Sequence, residues 1–452
     1  MSSPATAQAA EADGSASRLS RLLAGFAPPR LPPVSRSAFR FHMAYTLLDA
    51  VFSGIIGNAP LMAVKALNAS DRQLQIPLSM ASIGLFAAVV TGAAMAARRK
   101  KPFVLVPGFA GAVCALVMAW MNSALWFLIV AGMMSIFDFG MRPAVPSIVR
   151  IVYPPRSRSH VSGTLRQYAS IAFLLATLAS AWLLSAAGTE VRLMIRYELT
   201  FAGLASFASY LCFRRLPERG DGSAEEAEPA DRPNEARSGS PGLAPFRDPS
   251  FRRYMAIFFL YGFSNLFHSG LIPAFLAKDM GLGYVQATLL LHVIPNLSAF
   301  LTGGYLTAWF ERTSVWRAYS LVALFWGADP ALLAGMPTVW PAVILARILR
   351  GPATLGSMVI CFFTGVHSFA RPGSDTSRYM AAIFWVNGIA RLIAPLAAAV
   401  MLGFISRRSI ILLGSMGVLA ASALFYRSDV VARRAAAQSA EGSAELRGLV
   451  AG

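Results

Sequence analysis

Apolar runs of about 20 residues, the length needed to cross a bilayer, recur from one end of this chain to the other. No group in the hydrocarbon core can hydrogen-bond a backbone N–H or C=O. A crossing segment must therefore be a helix or part of a closed barrel. The runs are continuous and do not alternate with a period of two, which selects helices. Charged residues make up 14% of the 452 positions and mean hydropathy is +0.55; a soluble domain carries about 25% charged residues. A water-soluble fold is excluded, and an all-α membrane protein is expected.

Twelve spans are expected, near residues 41–64, 74–97, 102–121, 125–148, 165–187, 193–213, 254–277, 284–309, 316–336, 338–363, 380–403 and 409–426. The formal net charge of +18 would suggest nucleic acid in a soluble protein. Here the basic residues border the apolar runs, so membrane topology accounts for them and no nucleic-acid partner is expected. With both termini in the cytoplasm, 27 of the 40 Lys and Arg residues fall on the inner side and 6 outside. That asymmetry orients the chain in an inner (plasma) membrane. Arg407 and Arg408 fall on the outer side, against the pattern.

Five segments follow from this layout. Residues 1–38, rich in Ala, Ser, Pro and Arg, read as a disordered cytoplasmic tail. Residues 39–214 form a first six-helix bundle, 215–250 a polar cytoplasmic linker, 251–427 a second bundle and 428–452 a second tail. The linker has too little apolar surface to fold alone. The halves look related: Phe39-Arg40 and Met43-Ala44 recur as Phe251-Arg252 and Met255-Ala256, Pro60 and Lys65 as Pro273 and Lys278, and Thr91-Gly92 as Thr302-Gly303, all at nearly one offset. Such a parallel repeat is what a two-bundle transporter requires. Cys114, Cys212 and Cys361 are scattered singly and read as core residues.

With these features the chain resembles the major facilitator superfamily over roughly residues 39–427. Phe246-Arg247-Asp248-Pro249-Ser250-Phe251-Arg252-Arg253 looks like the family's lead-in to helix seven, and Pro154 to Arg158 through Gly163 and Arg166 like its loop between helices four and five. The signature loop after helix two is partial: Gly92 and Arg98 to Lys101 match, but Ala96 stands at the acid's position and Arg99 at that of the second glycine. The resemblance implies twelve transmembrane helices in two six-helix bundles and a small-molecule substrate moved by alternating access.

An ionisable group inside a span costs about 2.5–3.5 kcal/mol on insertion scales and usually faces a cavity or a partner. Asp49 in span one and Asp138 in span four are candidates for coupling to protons, or for hydrogen bonds between helices. Arg142, four residues after Asp138, shares its face and is a candidate gating ion pair. Arg347, Arg350 and Arg391 can bind an anion through their forked guanidiniums, or can neutralise Asp49 and Asp138. Three arginines against two acids leave one positive charge over, which favours an organic anion. Asn265 and Asn296 are further substrate-binding candidates, and His268 and His292 further coupling candidates beside their structural alternatives. Asn58 and Asn387 are weaker polar positions. Pro60, Pro273, Pro295, Pro352 and Pro395 can kink their helices.

No HExxH, GxSxG, Walker loop or His/Cys ligand cluster is present. An enzyme is therefore not expected, and neither is a cofactor or metal. The expectation is a secondary transporter working in the lipid bilayer, with protons as the candidate driving ion. The alternative is a transport-inactive scaffold or sensor on the same fold. Reporter fusions at residue 235 and at the C-terminus should both report cytoplasm, and a periplasmic signal at either overturns the orientation.

Overall fold

The computed structural model describes residues 31, 33–94, 98–142, 144–153, 155–217, 244–359, 368–369 and 376–451. Among the described residues twelve long helices carry the fold: α1 (Pro33–Gly57), α2 (Ile76–Ala94), α3 (Pro102–Met118), α4 (Ala124–Met141), α5 (Pro155–Ala186), α6 (Val191–Arg214), α7 (Pro249–Ser269), α8 (Ile294–Glu311), α9 (Val315–Gly335), α10 (Trp340–Val359), α11 (Thr376–Met401) and α12 (Arg407–Ala451). Among the described residues nine helical segments are long and apolar enough to cross a membrane, and α3 is a shorter apolar helix. The other two, α6 and α10, carry Arg196 and Glu198, and Arg347 and Arg350, within their apolar stretch.

The packing of the first half repeats in the second. α1 packs on α5 and α6, α2 on α4, and α3 on α4 and α6; α7 packs on α11 and α12, α8 on α10, and α9 on α10 and α12. Each contact in the second list is its counterpart in the first with every helix number raised by six. The two main contacts between halves are related in the same way: α2 lies against α11, and the helical turn Tyr284–Thr288 leading into α8 lies against α5. The sequence echoes at one offset are therefore matched by an architectural repeat of two six-helix bundles.

The cores show where the bundles meet. One large apolar cluster joins them on the side away from the termini, with Leu61, Met62 and Phe127 packed among Leu271, Phe275 and Leu276. Toward the terminus side the cores separate, one around Tyr45, Tyr210 and Phe213 and another around Phe251, Tyr254 and Tyr319. The far side is closed by a shared core, and each half keeps its own core near the termini.

Prolines mark the helix irregularities. Proline lacks an N–H and crowds the carbonyl one turn back, so a helix bends or changes its pitch beside it. α1 stops at Gly57 and resumes as Ala59–Lys65 with Pro60 in its first turn. At the equivalent place in the second half, Pro273 precedes a π-helical turn, Phe275–Asp279, and a second π turn, Leu289–Val293, precedes Pro295. Pro352 and Pro395 lie inside α10 and α11. At the start of α7, Asp248 caps the helix by accepting from the Ser250 amide at 2.8 Å, with Pro249 next to it. Gly351 lets α10 lie directly on α8, because a Cβ there would run into the Pro295 carbonyl and the Ala299 amide.

Two of the expected tail boundaries move. Residues 33–38, assigned above to a disordered tail, form the first turns of α1, where Ser35 and Ala38 are buried. Residues 428–451 continue α12, since the alanine-rich sequence there favours a helix beyond the apolar span. Residues 218–243 of the linker, residues 1–30, Cys361 and Ala96 in the partial signature loop lie outside the described residues.

Candidate functional site

A cavity of about 350 Å³ lies among α1, α3, α4 and α6, with Asp49, Phe52, Ser53, Asp138, Arg142 and Tyr210 in its wall. Asp49 lines this cavity and makes no hydrogen bond or ion pair among the described residues. Asp138 and Arg142 form the expected ion pair one helical turn apart, at 2.8 Å, with about half of each side chain exposed (47% and 52%). A pair that open is worth little as a brace.

The second charged centre has an acid that the sequence reading passed over. Asp329 in α9 is fully buried and is ion-paired with Arg347, itself 2% exposed, and with Arg350 at 3.3 Å. The proposed neutralisation of these arginines by Asp49 and Asp138 is therefore corrected: Asp329 takes both. The i, i+3 spacing of Arg347 and Arg350 does turn them the same way, toward α9. Arg350 also lies over the Trp326 ring, 3.8 Å from guanidinium carbon to centroid. The signal for Asp329 was present, since it interrupts an apolar run just as Asp49 does. The sequence inventory of central acids omitted it.

Arg391 in α11 does not join that cluster. It lies over Phe139 of α4 at 5.0 Å, and Arg142 covers the same ring at 4.1 Å. One arginine from each half is thus held against one ring, within electrostatic reach of the other. The Nε of Arg391 is buried with no hydrogen-bond partner. Of the three candidate anion-binding arginines, two meet on Asp329, while Arg391 meets the first half.

The polar candidates of α7, of α8 and of the turn before α8 take distinct roles. His268 is fully buried, and its Nδ1 donates to the Ser264 carbonyl at 2.9 Å. His292 donates through Nε2 to the Gly57 carbonyl at 3.0 Å, so it bridges the halves. Asn296 is exposed and donates back to the His292 carbonyl. Asn265 accepts from Ser269 one turn on.

On the far side, polar contacts cross between the halves. Lys65 donates to the Leu282 carbonyl at 2.8 Å, and Lys278 donates to the Ala69 carbonyl at 2.8 Å. Both the lysines and their acceptors are repeat partners, so the two bonds form one reciprocal pair. Arg407 grips Asp71 of the first half at 2.7 Å and is also ion-paired with Asp279. Arg408 donates to the Ala334 and Gly335 carbonyls at the end of α9. These are the outer-side arginines that broke the charge pattern, and each has a structural partner.

The family model of the Major Facilitator Superfamily matches residues 41–329. The chain belongs to the major facilitator superfamily, and it is a membrane transporter, not an enzyme. The nucleoside transporter NupG shares its architecture at a TM-score of 0.64 and 15% identity, covering 87% of this chain and 99% of that one. A POT family transporter in complex with a thioalcohol-conjugated peptide gives 0.63 at 13%, covering 88% and 97%. A bacterial homologue of the human lysosomal transporter Spinster, inward-facing and occupied, gives 0.62 at 12%, again covering 88% and 97%. At such identities the likeness is one of fold. No curated protein matches the chain in sequence.

Asp329→Asn leaves Arg347 buried without its counter-charge and should cost about 3–5 kcal/mol of stability. Asp329→Leu combined with Arg347→Met should recover most of that loss. Thermal unfolding in detergent checks both, with Asp49→Asn expected to change stability little. Equal effects of the Asp329 and Asp49 substitutions would contradict the pairing.

Proposed function

We propose that the chain carries a small organic anion across the inner membrane by alternating access, driven by protons, with both termini in the cytoplasm. The observation behind the anion is the meeting of Arg142 and Arg391, one from each half, on the ring of Phe139. An anion held between them touches both bundles. It therefore binds the two states of the transporter unequally, which is what a ligand must do to shift their balance. Charge supports the same reading. Arg142, Arg347, Arg350 and Arg391 stand against Asp49, Asp138 and Asp329, and one positive charge is left over even with Asp329 included. In a low-dielectric cavity that surplus favours an anionic guest.

The proton falls to Asp49, with Asp138 beside it. Asp49 lines the cavity and no cation among the described residues holds it, so a proton can bind there and leave again without breaking an ion pair to them. Asp138 is engaged by Arg142, and a substrate anion that draws Arg142 away frees Asp138 to take up a proton. Substrate and proton would then meet at one pair of side chains.

Uptake of labelled carboxylates and phosphate esters into proteoliposomes tests the reading. Arg391→Lys keeps the charge and loses the fork, and should weaken apparent affinity by about tenfold or more, with Arg391→Ala worse. Asp49→Asn should abolish accumulation driven by a proton gradient while exchange persists. A parent protein that moves only neutral or cationic solutes, with affinities unchanged by Arg391→Lys, overturns the anion. An Asp49→Asn variant that still accumulates substrate like the parent removes Asp49 from coupling.

A further inference from the structure

A second carboxyl group, outside the cavity, lies at the end of a hydrogen-bonded chain that crosses between the halves. Thr288, in the turn leading into α8, donates through its hydroxyl to Oδ1 of Asn58 at 2.8 Å. Asn58 sits at the break between α1 and Ala59–Lys65, and its Nδ2 donates to Ser180 Oγ at 3.1 Å and to the Thr177 carbonyl at 3.0 Å. Ser180 of α5 in turn donates to Oε2 of Glu198 in α6 at 2.6 Å. All four side chains are buried: Asn58 and Thr288 fully, Ser180 to 2% exposure and Glu198 to 5%. Oε1 of Glu198 is buried and has no partner.

Thr288 donates to Asn58, Asn58 donates through Nδ2 to Ser180, and Ser180 donates to Oε2 of Glu198. Among the described residues no Lys, Arg or His lies within ion-pairing distance of Glu198. The charged and titratable groups on the surrounding elements are otherwise engaged or apolar in setting. Arg196 on the same helix turns to Asn122 and Trp120, and Arg192 is exposed at its start. Lys65 is held by the Leu282 carbonyl over the Tyr284 ring, and His292 by the Gly57 carbonyl. Cys114 of α3 packs among Phe52, Ile56 and Met134, and α5 brings no titratable group to this level. Tyr284 of the second half is within electrostatic reach of Glu198, and its hydroxyl is buried without a partner. A buried carboxylate with one donor and no cation among the described residues is poorly compensated, and a proton on Oε1 removes the charge.

We propose that Glu198 is a proton-binding site coupled to closure of the far side. A proton from far-side water bonds to Oε1 and is held while the Thr288–Asn58–Ser180–Glu198 chain is intact. It is released when Thr288 withdraws from Asn58 and water reaches the carboxyl group. By linkage, protonation favours the sealed state to the same degree that sealing favours protonation. The sealed-to-open ratio is therefore high in acid and falls as pH rises. The inference rests on reading the chain as an alternating transporter, and it adds a proton site that acts on the gate, separate from Asp49.

The test measures spin-label distances between Ser123→Cys and Thr338→Cys, which are exposed far-side positions on the two halves. The full-length chain is used in nanodiscs, with Cys114, Cys212 and Cys361 replaced. Between about pH 5.5 and 8.5 the sealed-to-open ratio of the parent should fall, by at most about tenfold per unit for one proton. Glu198→Gln keeps the acceptor for Ser180 without the titration, and should remove the share of the slope that Glu198 supplies, leaving at most that of Asp49. Ser180→Ala keeps the acid and cuts the chain, and should flatten the slope as well, which covers a Glu198→Gln protein that fails to fold. A parent without a slope, or either variant with the parent's full slope, overturns the proposal. The readout needs no substrate. A protein that shows the slope yet carries nothing refutes the transport reading alone, and a transporter without the slope refutes this site alone.

Discussion

Two lysine side chains, each reaching a backbone carbonyl of the other half, hold the far side of this protein closed. Lys65 binds the Leu282 carbonyl and Lys278 the Ala69 carbonyl. The pair is related by the internal repeat, so neither half can swing away without breaking both bonds. A hydrogen bond to a charged group contributes about 1.5–3 kcal/mol. Two such bonds, with Arg407 gripping Asp71 and Asp279 beside them, make a seal that is firm and still within reach of ligand binding energies. The rest of the architecture follows from where that seal lies: a core shared between halves behind it, and separate cores toward the termini.

The charges in the middle divide by how completely they are satisfied. Asp329 with Arg347 and Arg350 is a buried ion-paired group, in which Arg347 Nε is left without a hydrogen-bond partner. Asp49 and Arg391 are the opposite case, having no ion-pair partner among the described residues. Groups left unsatisfied inside a membrane are costly, and they persist where a function uses them. That contrast supports the proposal of a proton on Asp49 and an anion beside Arg391, with the exposed Asp138–Arg142 pair as the proposed link between them.

Much of the fold was legible because the bilayer restricts a chain so strongly. The twelve apolar runs correspond to the twelve helices, and the echoes at Pro60, Lys65, Pro273 and Lys278 fall on equivalent breaks and equivalent bonds. Arg407 and Arg408 are the exceptions to the charge rule, yet Arg407, with Lys65 and Lys278, joins the halves on that side. The pairing of charges was less legible. Spacing along one helix gave Asp138 with Arg142, but Arg347 with Asp329 and Arg391 with Phe139 join different helices, and no local spacing encodes which helices touch. Glu198 is not among the sequence candidates, because its meaning comes from Ser180 and Asn58 on other helices.

The central claim is that the reciprocal lysine bonds close the far side and must part for transport. Single-molecule energy transfer between fluorophores on exposed far-side positions of the two halves measures this directly. In the parent, the closed distance should dominate with excursions to a longer one. Replacing Lys65 and Lys278 together with Met should enrich the longer state by about tenfold or more, given the size of the lost bonds. A double variant with the parent's distance distribution would contradict the account, since the seal would then be held by something other than the two lysines.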